Sequence, residues 1–245
     1  ELTQLVTRLD SEDILVHMHA LGDRAVQVAL NSIEAARDAN STDIPHSLAH
    51  TQLVQPSDVA RAGRLQVGFV PTFSWMAYGW DYDITVKPFI DTVSDLADLN
   101  DMYRTDSYTH QHSYPVASLA RAGALVGAGS DAPVDVRSPR PFGNIAVGLS
   151  RASVVENPDG LTKQVVWNEN ERMTIDQLVK AYTINGAKLL RQDDIVGSIE
   201  VGKRADFIVL DRDIYQLAEQ GEFEKIANTR VMQTWFDGEL VYMAE

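Results

Sequence analysis

The sequence predicts an α/β fold built on a parallel sheet, and three observations lead there. Four short apolar runs, "ILVHMH" (14–19), "HSLAH" (46–50), "LQVGFVPTF" (65–73) and "ALVGAGSDAPV" (124–134), have the length and texture of buried strands. Stretches of helical texture separate them, and strands alternating with helices call for parallel pairing through right-handed crossovers. With 245 residues, 44% of them hydrophobic and 23% charged, the chain is large and apolar enough to bury a sizeable core.

Each element has its own local reason. In "DRAVQVALNSIEAARDA" (23–39), Val26, Leu30 and Ile33 recur near helical spacing. Ser57 is expected to cap a second helix, with Gly63 as its terminating residue. The stretch from about 74 to 113, rich in Trp75, Tyr78, Trp80, Tyr82, Phe89 and acids, is too long for a plain connection and is expected to form an irregular lid. A helix follows over 114–123, with Pro115 suited to its first turn. After a loop at 157–160, Thr174 and Gln177 form a capping box for "IDQLVKAYTINGAKLL", which is expected to end at Asp193–Asp194. The texture then changes: 197–211 and 231–242 read as strands, the latter folding on Asp237–Gly238, a hairpin signal. The expected organisation is one unit over 1–192, with its lid, and a small β module over 193–245.

Composition excludes several function classes. Without cysteine there is no disulfide framework and no thiolate nucleophile or ligand, so a metal would have to be held by imidazole and carboxylate. A net charge of −14, with no basic stripe to offset it, argues against nucleic acid and against anionic membranes. No apolar run approaches the roughly 20 residues needed to cross a bilayer, and the first residues lack the plan of a signal peptide. The expected location is therefore the cytoplasm. Because the chain opens on Glu1 rather than Met, it is expected to be a piece of something longer.

Two histidines one residue apart, His17 and His19, raise the question of chemistry. Period two along a strand sends both to one face, so geometry lets both meet a metal, and spacing alone does not choose between ligands and ordinary polar groups at a strand end. His19, His50 and Asp131 lie at the carboxyl ends of three predicted strands, where α/β folds place their sites.

The segment His19-Ala20-Leu21-Gly22-Asp23-Arg24-Ala25, the segment Ala49-His50-Thr51-Gln52 and the segment Gly129-Ser130-Asp131-Ala132-Pro133-Val134 resemble, in this order, the motifs that end the fifth, sixth and eighth barrel strands of the amidohydrolase superfamily, in its YtcJ-like branch. "TINGAKLL" and "GSIEVGKRADFIVLD" resemble that branch's closing helix and the returning strands of its small β domain. The resemblance implies half of a TIM-like (β/α)8 barrel, strands five to eight, plus part of a β-sandwich. It implies His19, His50 and Asp131 as ligands of a divalent metal, with Asp131 also the general base and acid; Trp75, Tyr78 and Trp80, an aromatic cluster after a barrel strand, are expected to line the substrate mouth or else to pack the long loop on the barrel. Zinc suits these ligands best, as one or two ions, while Mn, Fe or Co fit the same residues.

The implied reaction is hydrolysis of the C–N bond of a small amide, N-formyl or cyclic amide substrate. The alternatives are hydrolysis of another carbonyl or phosphoester bond, or a regulatory relative without turnover. His17 is expected to be structural or to orient a ligand, His46 to be structural, His110 and His112 to be solvated lid residues, and Asp23 to cap its helix. Two departures stand out. Ala49 replaces a Glu usual in the family, and neither the first-strand His-x-His nor the bridging Lys has a counterpart in the chain. The chain alone is accordingly expected to be inert and to associate, either with a missing amino-terminal half or with a second copy as a homo-oligomer.

Overall fold

The computed structural model describes residues 1–133, 139–154 and 165–245. Within them, four strands, β1 (His17–Ala20), β2 (Ser47–His50), β3 (Gly68–Val70) and β4 (Leu125–Val126), form a parallel sheet in the order β1-β2-β3-β4. Val134 of the last motif and the loop expected at 157–160 lie outside the described residues. Strand pairing outlasts the short β4, because the Gly127 and Gly129 N–H groups donate to the Phe69 and Pro71 carbonyls. No helix among the described residues is long and apolar enough to cross a membrane.

The crossovers follow the expected pattern with corrections at their ends. Helix α2 (Asp23–Asn40) buries Val26, Leu30, Ile33 and Ala36 against the sheet side of the core, as their spacing requires. Helix α3 (Pro56–Arg64) starts one residue before the expected cap: Gln55 is the N-cap and Pro56 fills the first turn, whose N–H has no helical partner in any case. Gly63 does not terminate α3 by adopting a left-handed backbone. It lies inside the last turn, where a Cβ would stand 1.9 Å from the Ala122 carbonyl oxygen, so glycine is required there by close approach.

The stretch 74–113 is helical rather than irregular. It holds α4 (Trp80–Val86), α5 (Leu99–Met102) and α6 (Tyr108–His112) with short 3-10 turns at Phe73–Met76 and Lys87–Phe89. Its helices are too brief for the hydrophobic period to show in sequence. After α7 (Val116–Arg121), helix α8 (Pro141–Ser150) was not expected, because "PFGNIAVGLS" is apolar all round and carries no amphipathic stripe; every residue from Asn144 to Ser150 is buried. The Thr174–Gln177 capping box forms, but the helix behind it is two, α9 (Ile175–Tyr182) and α10 (Ile184–Leu189), broken at Thr183.

Strands β5 (Phe207–Leu210), β6 (Val231–Phe236) and β7 (Glu239–Met243) make a separate antiparallel sheet. The β6–β7 turn takes left-handed backbone at both Asp237 (φ 52°) and Gly238 (φ 82°), as a two-residue turn matched to strand twist requires. Between β5 and β6 lie α11 (Ile214–Glu219) and α12 (Phe223–Ala227), and α12 packs on α8.

The first helix, α1 (Leu2–Ser11), is clamped to the strands by a buried polar cluster. The Val16 N–H donates to His46 Nδ1, which leaves Nε2–H to donate to Asp10 Oδ1 at 2.8 Å. Thr42 Oγ1 and Asn40 Nδ2 donate to the same carboxylate. Burial pushes the Asp10 carboxyl up, but the bonds from Thr42, Asn40 and His46 outweigh it and bring it below its ordinary value. Asp10→Ala orphans these buried donors and should cost about 3 kcal/mol in urea unfolding, against under about 1 kcal/mol if the cluster were incidental. Because the folded carboxyl is depressed, the contribution is present above its unfolded pKa of about 4 and is lost as the pH falls through the folded value.

Candidate active site

Everything with chemical potential collects at the carboxyl ends of β1–β4. Parallel register sets His19 beside Ala49 and Ala20 beside His50, so the two imidazoles come from adjacent strands, one residue out of step. Their rings meet edge to face with centroids 4.7 Å apart, and His50 stacks on Trp75 at 5.0 Å and 16°. The backbone is left-handed at His50 (φ 68°), Thr51 (φ 47°) and Asp131 (φ 52°), a conformation that non-glycine residues adopt at a cost and keep only where the surroundings enforce it.

His50 is buried and its Nδ1 has no hydrogen-bond partner among the described residues. Burial lowers its pKa, with the Asp131 charge opposing and His19 and His17 adding to the fall. The ring is thereby held neutral, the form in which an imidazole nitrogen binds a metal. Asp131 acts on His50 electrostatically, yet among the described residues no three His, Asp or Glu side chains gather tightly enough to hold an ion. The donor chemistry of the His19–His50 pair, with its orphaned nitrogen, fits a divalent metal; the expected third ligand is near but not converged. His17 hydrogen-bonds Ser47 Oγ at 2.7 Å rather than either ligand candidate.

A cavity of about 560 Å³ adjoins these strand ends. Leu21, Gln52, Trp75 and Ser130, neighbours in sequence or space of His19, His50 and Asp131, line one part, and Tyr78, Tyr82, Asp83 and Trp167 another. Tyr78 is only 2% exposed, lies flat on Trp167 with centroids 4.6 Å apart, and bonds through its hydroxyl to His110 Nδ1 at 2.5 Å. His110 is thus half-buried and tied to the core through Tyr78. Trp80 begins α4, half-buried against the core, and is not among the residues lining the cavity.

Two motif residues anchor the covering segment. Asp23 is the first residue of α2 and not its cap, which is Gly22; its Oδ2 accepts from Tyr108 Oη at 2.6 Å and from Gln55 Nε2 at 3.2 Å. The Tyr108 bond is the main reason that its carboxyl sits below its ordinary value. Gln52 Oε1 accepts from Tyr82 Oη at 3.1 Å. Sequence reasoning missed Tyr82, Asp83, Asn144 and Trp167, although acids set among aromatics in "WDYD" were the available signal for the first two.

Parallel strands bear imidazoles at their carboxyl ends beside an aromatic cavity, and residues 1–242 match the amidohydrolase family model. The chain belongs to the amidohydrolase family. It is 28% identical over 243 residues to the N-substituted formamide deformylase of Arthrobacter pascens, covering 99% of this chain and 39% of that protein. To the putative amidohydrolase YtcJ of Bacillus subtilis (strain 168) it is 24% identical, covering 98% of this chain and 40% of the relative. An uncharacterized metal-dependent hydrolase from Pyrococcus horikoshii OT3 superposes with a TM-score of 0.63 at 21% identity, over 89% of this chain and 39% of the other. The chain thus spans about two fifths of the length of these relatives.

The Tyr108→Phe variant should lose the charge-assisted bond to Asp23, about 1.5–3 kcal/mol, and loosen the cover locally. Amide exchange should quicken around residues 105–113 while β1–β3 keep their protection; uniform change, or none, would dissociate the cover from Asp23.

Proposed function

We propose that the parent protein is a metal-dependent hydrolase of small amide, N-formyl or cyclic amide substrates, with β1–β4 as strands five to eight of an eight-stranded barrel and β5–β7 as part of a β-sandwich. The observation that carries the reading is the His19–His50 pair, with a buried His50 Nδ1 that has no hydrogen-bond partner among the described residues, next to a cavity lined by their sequence neighbours Leu21 and Gln52. The amidohydrolase family membership and a relative named for formamide deformylation support C–N cleavage.

In this reading His19, His50 and Asp131 hold a divalent ion, zinc for preference, which when bound supplies Lewis-acid polarisation and acidifies water. Trp75 fixes the plane of the His50 ring by stacking, and the left-handed backbone at His50 and Thr51 sets the direction from which the ring enters the site. An Asp131 carboxylate oxygen takes the proton of the attacking water and returns it to the departing nitrogen. Trp75 and Tyr78, on the cavity wall, exclude bulk water around the substrate, and Trp80 packs against the core. β1 and β4, each paired on one side among the described residues, are the edges on which further strands of the parent or of a second copy would add.

Two measurements on the full-length protein test this. Replacing His19 and His50 together by Ala should remove the bound metal, read by elemental analysis, and unchanged metal content would refute the ligand assignment. Asp131→Asn should lower turnover of N-formyl substrates by about 10² to 10⁴-fold. Near-normal turnover would remove Asp131 from the proton-transfer role.

A further inference from the structure

The covering segment carries a carboxylate that the hydrolytic chemistry does not use. Asp83, on α4, is 2% exposed and lines the cavity. Both of its hydrogen bonds converge on Oδ2, from Tyr103 Oη at 3.0 Å and from the Gly79 N–H at 3.0 Å, and Oδ1 has no hydrogen-bond partner among the described residues. The buried Lys87 acts on Asp83 through its charge but makes no hydrogen bond to it: its Nζ donates to Thr109 Oγ1, stands 3.9 Å from Asp91, and lies 5.5–5.7 Å from the ring centres of Tyr78, Tyr103 and Trp167. Burial accordingly pushes the Asp83 carboxyl up to about 6, with Tyr103, Gly79 and Lys87 only partly opposing.

A half-satisfied carboxylate in a largely aromatic hollow is costly until a cation or strong N–H donor completes it. Around it stand Tyr78, Tyr82, Tyr114 and Trp167, and aromatic walls favour cations further. We propose that Asp83 is a specificity-determining residue that accepts a protonated amine borne by the substrate at a distance from the scissile bond. The proposal rests on the hydrolytic reading for the cavity's role as the substrate pocket. It deepens that reading to cationic, aryl- or alkyl-bearing amides. Among the described residues on the lining, the exposed Arg140 is the one basic group, and it would favour anions.

Binding without turnover separates this claim from the reaction. Calorimetry on the full-length protein would compare 2-phenylethylamine, 2-phenylethanol and 3-phenylpropionate, which differ in the terminal group and not in the ring. The amine should bind at least about tenfold tighter than the alcohol, the margin expected of a charge-assisted bond plus cation–π attraction. In Asp83→Asn that preference should collapse to within about threefold while alcohol binding stays put. Equal binding of amine and alcohol by the unmodified protein overturns the proposal without need of any variant, and so does a preference that survives in Asp83→Asn. Tighter binding of the carboxylate would transfer charge selection to Arg140. Amine-selective binding without amide hydrolysis would sink the reaction and keep Asp83, whereas hydrolysis with no amine preference would do the reverse.

Discussion

Register between β1 and β2 is the constraint on which the site depends. His19 pairs with Ala49 and Ala20 with His50, so each imidazole stands beside a methyl rather than another large side chain. That leaves the rings room to lean together at 4.7 Å. Period two alone would send His50 to the face opposite His19, and the left-handed backbone at His50 (φ 68°), where the strand ends, breaks that alternation beside the ring contact. The departure from the family at Ala49 therefore has a packing consequence here: a Glu in that place would stand directly beside His19.

The second constraint is the attachment of the covering segment. It touches the strand ends at Asp23 and Gln52, four residues beyond His19 and two beyond His50, each time through a tyrosine hydroxyl. Behind these contacts it is held by a cationic core. Arg151 is fully buried and donates to the Trp167, Tyr114 and Ser113 carbonyls, and Lys87 sits among aromatic rings. Removing two cations from water is tolerated because backbone carbonyls, Thr109 and π faces receive them. The aromatic content that marks the segment in sequence is thus spent on both jobs, with Trp75 and Tyr82 at the cavity and Tyr78 and Trp167 shared between cavity and core.

Foundation and site are kept separate along the strands. The buried polar cluster of Asp10, His46, Asn40 and Thr42 gathers at the amino end of β2, whereas His50 ends the same strand. His46 has both ring nitrogens bonded, and His50 has a buried nitrogen with none among the described residues. Two histidines four residues apart on one segment consequently serve opposite ends, one securing α1 and the other meeting His19 and Trp75 at the carboxyl end of β2.

Local chemistry in the chain was enough to determine the strand–helix alternation, the Thr174 capping box and the Asp237–Gly238 turn, since each depends on neighbours within a few residues, and the alternation in turn called for parallel pairing. The motifs at His19, His50 and Asp131 likewise announced that chemistry gathers at strand ends. Tertiary structure alone decided which of those residues meet. It brought His19 and His50 into contact, left Asp131 within electrostatic reach only, and gave Asp23 a tyrosine 85 positions away in addition to the Arg24 N–H of its own first turn. It also decided α8, whose uniformly apolar sequence has no period to read, and the burial of Asp83, whose Oδ2 accepts from Tyr103 and Gly79. Local periodicity reports which face of an element is buried. Contacts between elements far apart in the chain depend on packing, and only the folded molecule records it.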